Sequence, residues 1–450
     1  MKSLTRREAI AATAAGLLRA ADPPLPNIVF ILADDLGYAD LSCYGRRDYT
    51  TPNIDAIASQ GLRFTQAYAN SSVCSATRTA IITGRYQYRL PIGLEEPLAS
   101  PARHVGLPPD HPTLPSLLRK AGYETTLIGK WHLGYLPDFG PLKSGYDHFW
   151  GFRGGALDYF THKSGAANTD TSDLWDGDTP IHQAGYLTNL LGDRAVAVIQ
   201  ESKRPYFISL HFNAPHWPWE GPEDEAESRR VKALIDFDGG SLAAYAKMVQ
   251  AMDAQVGRVM KAIGDTNTIV VFTSDNGGER FSDTWPFTGK KADLLEGGLR
   301  IPAILRWPGH IKPGTTDQVA ISMDWLPTLL AAAGGAPDPK YPSDGINLLP
   351  VLDRSVPRKL FWRYRFNAQR AVRDGDLKWL KILDNTFLFD VVKDPLERAN
   401  MKDREPEVYR RLVEEYEKWN ATMLPEDPKA FSHALYGDQV ADHYGNKHKQ

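Results

Sequence analysis

The chain has 450 residues, 42% of them apolar and 24% charged, with a net charge of −3. That balance describes an ordinary globular protein, long enough for one large domain and a smaller companion. It gives no electrostatic case for nucleic acid or an anionic membrane surface as partner, so any anion site has to be built locally.

Taken in chain order, residues 1–21 read as an export signal. Thr5-Arg6-Arg7-Glu8 precedes a short apolar stretch, Ala9 to Leu18, too short to span a bilayer as a stable helix. The arginine pair resembles the twin-arginine (Tat) signal of bacteria, with a Sec-type signal as the alternative. No cysteine follows the stretch, which excludes a lipid anchor. A periplasmic or secreted location is expected. No other segment is apolar for about 18 residues, so no membrane span is expected.

Short apolar runs then alternate with helical patterns, the signature of an α/β sheet with parallel strands. The predicted strands are Ile28 to Leu32, Thr125 to Ile128, Phe207 to Leu210 and Ile269 to Phe272. The predicted helices are Asn53 to Gln60, one starting at Cys74, Leu114 to Lys120, Leu187 to Gln200, Leu242 to Ile263 and Met323 to Ala333. A boundary falls between Pro350 and Pro357. Beyond it, Leu360 to Tyr364, Ala371 to Arg373 and Leu377 to Lys381 read as half-exposed strands, with Asp374-Gly375-Asp376 as a hairpin turn. Glu407 to Asn420 is a charged amphipathic helix. The domains expected are therefore 26–352, a small α+β unit over 353–425, and a polar tail over 426–450 expected to be poorly ordered.

Each predicted strand of the large domain runs into chemistry. The first ends at Asp34-Asp35, the second at Lys130-Trp131-His132, the third leads to His216, and the fourth to Asp275-Asn276. Ligands of open α/β sheets bind beyond the carboxyl ends of the strands, so these groups define one polar crevice. Asp34, Asp35, Asp275 and Asn276 offer four oxygen donors, a set that suits a hard divalent cation; turn or helix caps are the alternative for each pair. Cys74 opens a predicted helix, at a positive helix end that favours anions. Cys43 reads as a small buried apolar residue. With only these two cysteines, a disulfide scaffold and a Cys-rich zinc site are excluded. His211 and His310 read as structural or exposed.

Five blocks of this sequence resemble the type I sulfatases. Cys74-Ser75-Ala76-Thr77-Arg78 with Thr83-Gly84 resembles the family signature, in which alanine at Ala76 replaces the usual proline. Asp34-Asp35-Leu36-Gly37-Tyr38, Gly129-Lys130-Trp131-His132-Leu133-Gly134, Ala214-Pro215-His216 and Ser274-Asp275-Asn276-Gly277-Gly278 supply the rest, with Lys291 five residues before Glu296-Gly297-Gly298. The resemblance implies an alkaline-phosphatase-like α/β sandwich, a large mixed sheet flanked by helices with a small C-terminal antiparallel sheet and a helix. It implies hydrolysis of sulfate esters, with Cys74 oxidised to formylglycine by a maturase and its hydrate attacking sulfur. One cation, Ca²⁺ or Mg²⁺, would be held by Asp34, Asp35, Asp275, Asn276 and the matured Cys74. Arg78 and Lys130 would hold the hydrate, His132 would take its proton, His216 would touch the sulfate, and Lys291 (or its neighbour Lys290) would neutralise the leaving group.

Exported bacterial members of the family mostly resemble glycan sulfatases, so a sulfated saccharide, for instance a 6-sulfated hexosamine, is the expected substrate. Trp131, Trp217, Trp219 and Glu220 could face a sugar ring or simply pack. Small aryl sulfates remain an alternative, as does phosphomonoester or phosphonate hydrolysis on the same fold.

Overall fold

A computed structural model describes residues 25–99, 102–164, 172–230 and 240–432. The expected export signal and residues 433–450 lie outside the described residues.

The strands form where β-branched and aromatic residues run together between turn signals. They are β1 (Asn27–Ala33), β2 (Leu62–Phe64), β3 (Glu124–Lys130), β4 (His148–Phe152), β5 (Trp175–Asp176), β6 (Thr179–Pro180), β7 (Tyr206–His211), β8 (Thr268–Ser274), β9 (Ala303–Arg306) and β10 (Gly314–Thr316). Together they make one sheet in the order β10-β2-β9-β8-β1-β7-β3-β4-β5-β6. Its centre, β8-β1-β7-β3-β4, is wholly parallel; β9 runs antiparallel to β8 and β2, and β5 antiparallel to β4. The sheet is therefore mixed, as the family resemblance implies.

Alternation along β1 splits the core in two. Phe30 and Leu32 face one layer with Ile81 and Ile82 of helix α2 (Cys74–Thr83), Leu114 and Leu118 of α3 (Leu114–Lys120), and Trp325 and Leu329 of α6 (Trp325–Ala332). Val29 and Ile31 face the other, with Ile54 of α1 (Pro52–Gln60), Leu191 of α4 (Leu187–Glu201) and Met252 of α5 (Leu242–Ile263). Strands with both faces covered read as continuous apolar runs, which is why these four were visible in the sequence.

A second sheet follows: β11 (Lys359–Tyr364), β12 (Gln369–Asp374), β13 (Leu377–Ile382) and β14 (Asn385–Asp390), antiparallel in that order. Gly375, at φ 60°, makes the two-residue turn between β12 and β13, a left-handed position that glycine takes without a side-chain penalty. Helix α7 (Pro406–Asn420) lays Leu412 and Tyr416 against Val372, Trp379 and Leu388. Residues 430–432, early in the expected polar tail, are tied down: the Glu96 amide donates to the Phe431 carbonyl at 2.8 Å, and Ser432 Oγ to Glu96 Oε2 at 3.0 Å.

Candidate active site

The carboxyl ends of β1, β3, β7 and β8 bring their polar residues into one cluster. At the end of β1 the backbone turns sharply, with Asp35 at φ 59°, so two adjacent carboxylates that would otherwise point to opposite faces converge. The Asp35 amide donates to Asp275 Oδ1 at 3.3 Å, and Asn276 Nδ2 donates to Asp35 Oδ1 at 2.7 Å. Across the crevice, a Cβ on Gly129 would stand 1.9 Å from the His211 carbonyl oxygen; only glycine there lets β3 and β7 close up and deliver Lys130 to the same point.

Three cations meet the three carboxylates. Lys130 Nζ lies 2.6 Å from Asp34 Oδ2, and Lys291 Nζ 2.6 Å from Asp35 Oδ2. Arg78 Nε donates to Asp275 Oδ2 at 2.9 Å, and Nη2 stands 3.7 Å from Asp34 Oδ1. Of the two candidate lysines, Lys291 is the one on the cluster; the Lys290 amide instead donates to Asp293. Lys291 keeps 14% of its side chain exposed while Lys130 keeps none, so Lys291 stands nearest to solvent.

Cys74 is the first residue of α2, preceded by Val73, whose side chain cannot cap the helix. One ligand-capable atom from each of Cys74, Asp34, Asp35 and His216 lies within 4.8 Å of the others. Burial pushes the Cys74 thiol up to about 11, against the pull of Lys130 and Lys291. An unmodified thiol here is protonated at neutral pH and is a poor nucleophile.

Burial also pushes the Asp34 carboxyl up, with Lys130 opposing it. For Asp35, burial raises the carboxyl but the Lys291 and Lys130 ammonium groups outweigh it and hold it well below the usual range. Asp34 Oδ1 and Asn276 Oδ1 are buried without a hydrogen-bond partner among the described residues. Two unpartnered buried oxygens beside a second carboxylate are the donor set a hard divalent cation satisfies, so the residues fit such an ion. Asp275 is engaged by Arg78.

The histidines are held neutral, by burial first and by neighbouring cations second. His132 Nε2 is 2.9 Å from the Leu98 carbonyl, which can only accept; the proton therefore sits on Nε2, and buried Nδ1 keeps a free lone pair. His216 Nδ1 donates to the Trp217 carbonyl at 2.7 Å, leaving Nε2 3.5 Å from Asp35 Oδ2.

Residues 26–336 match the profile of the Sulfatase family. The chain belongs to the sulfatase family. This sulfatase is 35% identical over 431 residues to arylsulfatase A of Homo sapiens, covering 86% of this chain and 80% of that one. It is 34% identical over 397 residues to N-acetylgalactosamine-6-sulfatase of Mus musculus, covering 81% and 74%. Among solved structures, Ps i-CgsB in complex with k-i-k-neocarrahexaose superposes with a TM-score of 0.81 at 30% identity, covering 94% of this chain and 98% of that one. The protein is a sulfuric ester hydrolase with the expected layered fold.

Some features of the sulfatase site were not visible in its sequence. His211, read as structural or exposed, is buried, with Nδ1 donating to the Lys130 backbone carbonyl at 3.1 Å beside the Arg78 guanidinium; its place at the end of β7 is the available signal. His310 is exposed and stacks on Trp307. Glu279 follows the Gly277-Gly278 pair and is buried with both carboxylate oxygens unpartnered among the described residues. Burial raises it to about 7, against Lys291.

Trp131 and Trp219 are interior, edge-on to Tyr146 and Phe281. Glu220 is buried against the Tyr159 amide, so for these three the packing alternative holds. Trp217 is half-buried and tilts over the His216 ring.

The loop carrying Lys291 is stitched to the second sheet. Gln369 of β12 accepts from the Leu294 amide at 2.8 Å and donates to the Ala292 carbonyl at 2.9 Å. The Glu296 amide donates to Glu397 at 2.6 Å, and Thr288 Oγ1 to the Leu396 carbonyl at 2.8 Å.

Proposed function

We propose that the protein removes sulfate from sulfated saccharides, using Cys74 matured to formylglycine and one divalent cation, Ca²⁺ or Mg²⁺. The observation that carries this reading is the meeting of Cys74 with Asp34, Asp35 and His216 within 4.8 Å, ringed by Arg78, Lys130 and Lys291. Asp34, Asp35, Asp275 and Asn276 would hold the cation, which when bound supplies a Lewis acid for a sulfate oxygen. The matured Cys74 supplies an oxygen nucleophile in place of a thiol that burial keeps protonated.

The chain's own groups do the rest. Lys130 and Arg78, fixed on carboxylates, present preorganised positive charge to the reacting oxygens. His132, protonated on Nε2, offers Nδ1 as the base that accepts a proton from the nucleophile side. His216 and Lys291 stand on the Asp35 side, where they bind the sulfate and offset the charge that builds on the leaving oxygen.

The saccharide reading draws support from the N-acetylgalactosamine-6-sulfatase relatives and from the hexaose bound to the superposed enzyme. The resemblance to arylsulfatase A keeps small aryl sulfates as the second reading. Export by the twin-arginine route and conversion of Cys74 by a maturase complete the proposal. Peptide mass spectrometry across Cys74 from the native host tests it, with an expected loss of about 18 Da for thiol to aldehyde. An unmodified thiol in protein that still releases sulfate would refute the nucleophile, as would retained activity in Cys74→Ala.

A further inference from the structure

An open cleft of about 640 Å³ lies outside the reactive cluster. One wall comes from the segment after β1, with Arg46 and Arg47; the other comes from the segment after β8, with Phe281, Asp283 and Trp285. These are the same two segments that carry Asp35 and Lys291. Asp40, fully buried, locks the walls together. Its Oδ1 accepts from Arg46 at 2.7 Å and from the Asp283 amide at 2.8 Å. Its Oδ2 accepts from Ser282 at 2.5 Å, Tyr245 at 2.6 Å and the Gly37 amide at 2.7 Å. The cleft is thus rigidly coupled to the turn that presents Asp35.

Two side chains in it lack a structural use. Trp285 is 66% exposed, the most exposed large apolar side chain among the described residues. Its backbone is held in a tight turn, where its amide donates to Asp283 Oδ1 at 2.9 Å. Arg46 is taken by Asp40 and Asp48, whereas Arg47 is exposed and has no ion-pair partner among the described residues. An exposed indole offers the apolar C–H face of a pyranose a large contact, and a free guanidinium matches an oxyanion bidentately.

We propose that this cleft is a saccharide subsite, in which Trp285 stacks on a sugar unit neighbouring the cleaved one and Arg47 pairs with a second sulfate. The proposal deepens the saccharide reading above and rests on it. It makes the preferred substrate a chain of more than one sulfated unit.

The test uses matured enzyme with a sulfated galactan, its chemically desulfated form, and 4-nitrophenyl sulfate. Trp285→Ala and Arg47→Ala should each lower kcat/KM on the sulfated polymer about tenfold relative to that on 4-nitrophenyl sulfate, mostly through KM. The Arg47 effect should shrink at high salt. Equal losses on both substrates, or none on either, overturn the subsite. If the enzyme turns over no sulfate ester, the function reading falls separately, and affinity electrophoresis of Cys74→Ala in gels of each polymer still decides the cleft. Retardation by the sulfated polymer that weakens about tenfold with Trp285→Ala supports it; unchanged retardation, or none, overturns it.

Discussion

Lys378 is the most exacting test of how the two sheets are joined. Its ammonium is fully buried, 3.0 Å from Glu296 and 2.9 Å from Glu397. Glu296 has other support, from Arg300 at 2.8 Å and the Tyr68 hydroxyl at 2.6 Å. Burial pushes it up, but Lys378, Arg300 and Arg373 outweigh that and hold it at about 2. Glu397 has no other ion-pair partner among the described residues; burial raises it to about 7, with Lys378 pulling down and Glu296 pushing up. Lys378→Met therefore leaves one carboxylate buried without its counter-charge, which costs about 3–5 kcal/mol. The sign with pH follows from Glu397. Its folded value rises further in the variant, so stability is full below the unfolded value of 4.5 and falls as pH climbs through the raised one. The loss in Lys378→Met should be small near pH 5 and largest near pH 8, read by urea unfolding through tryptophan fluorescence. Adding Glu397→Gln should recover part of it at pH 8. A loss under about 1 kcal/mol at pH 8, or a double variant no more stable than the single, refutes the reasoning.

Three further outcomes are expected. Ca²⁺ or Mg²⁺ at a hundred times its dissociation constant should stabilise the fold by about 2.7 kcal/mol over protein in EDTA, seen as a thermal shift that Asp34→Asn abolishes; a flat response in wild type counts against the cation. Lys291→Ala should lower kcat/KM on 4-nitrophenyl sulfate about a hundredfold or more while Lys290→Ala changes it less than about threefold, and the reverse order would move the role to Lys290. Glu96, which burial raises to about 7 from 4.5, should make stability fall between pH 5 and 7; Glu96→Gln should flatten that slope by about 2–3 kcal/mol, and parallel curves for the two proteins contradict it.

The parts of the fold legible in the sequence were those buried on both faces. β1, predicted as Ile28 to Leu32, runs Asn27–Ala33, and α5 spans the predicted Leu242 to Ile263. The edge of the sheet was not legible. β2 and β10 are three residues each, too short for any periodicity, and β9 reverses direction in a run that reads like its parallel neighbours. β4, His148–Phe152, is aromatic-rich but short and broken by Gly151, too brief for its periodicity to register. In the site, Asp34, Lys130 and Asp275 announce themselves because a charge at the end of an apolar strand has no structural excuse. Glu279 and His211 did not, since their meaning depends on burial. Trp285 gives no signal either, because an isolated tryptophan in a loop says nothing until its exposure is known.

The stitching of Gln369, Leu396 and Glu397 to the Lys291 loop carries a consequence for the history of the enzyme. The stretch that marks the family stops at 336, yet the groups steadying the Lys291 loop sit 30 to 60 residues later. The small sheet is thus no dispensable ornament. A chain shorn of it would retain Cys74 and every acid while letting the Lys291 ammonium slip from Asp35, so natural variation in that sheet should track the large domain rather than drift on its own.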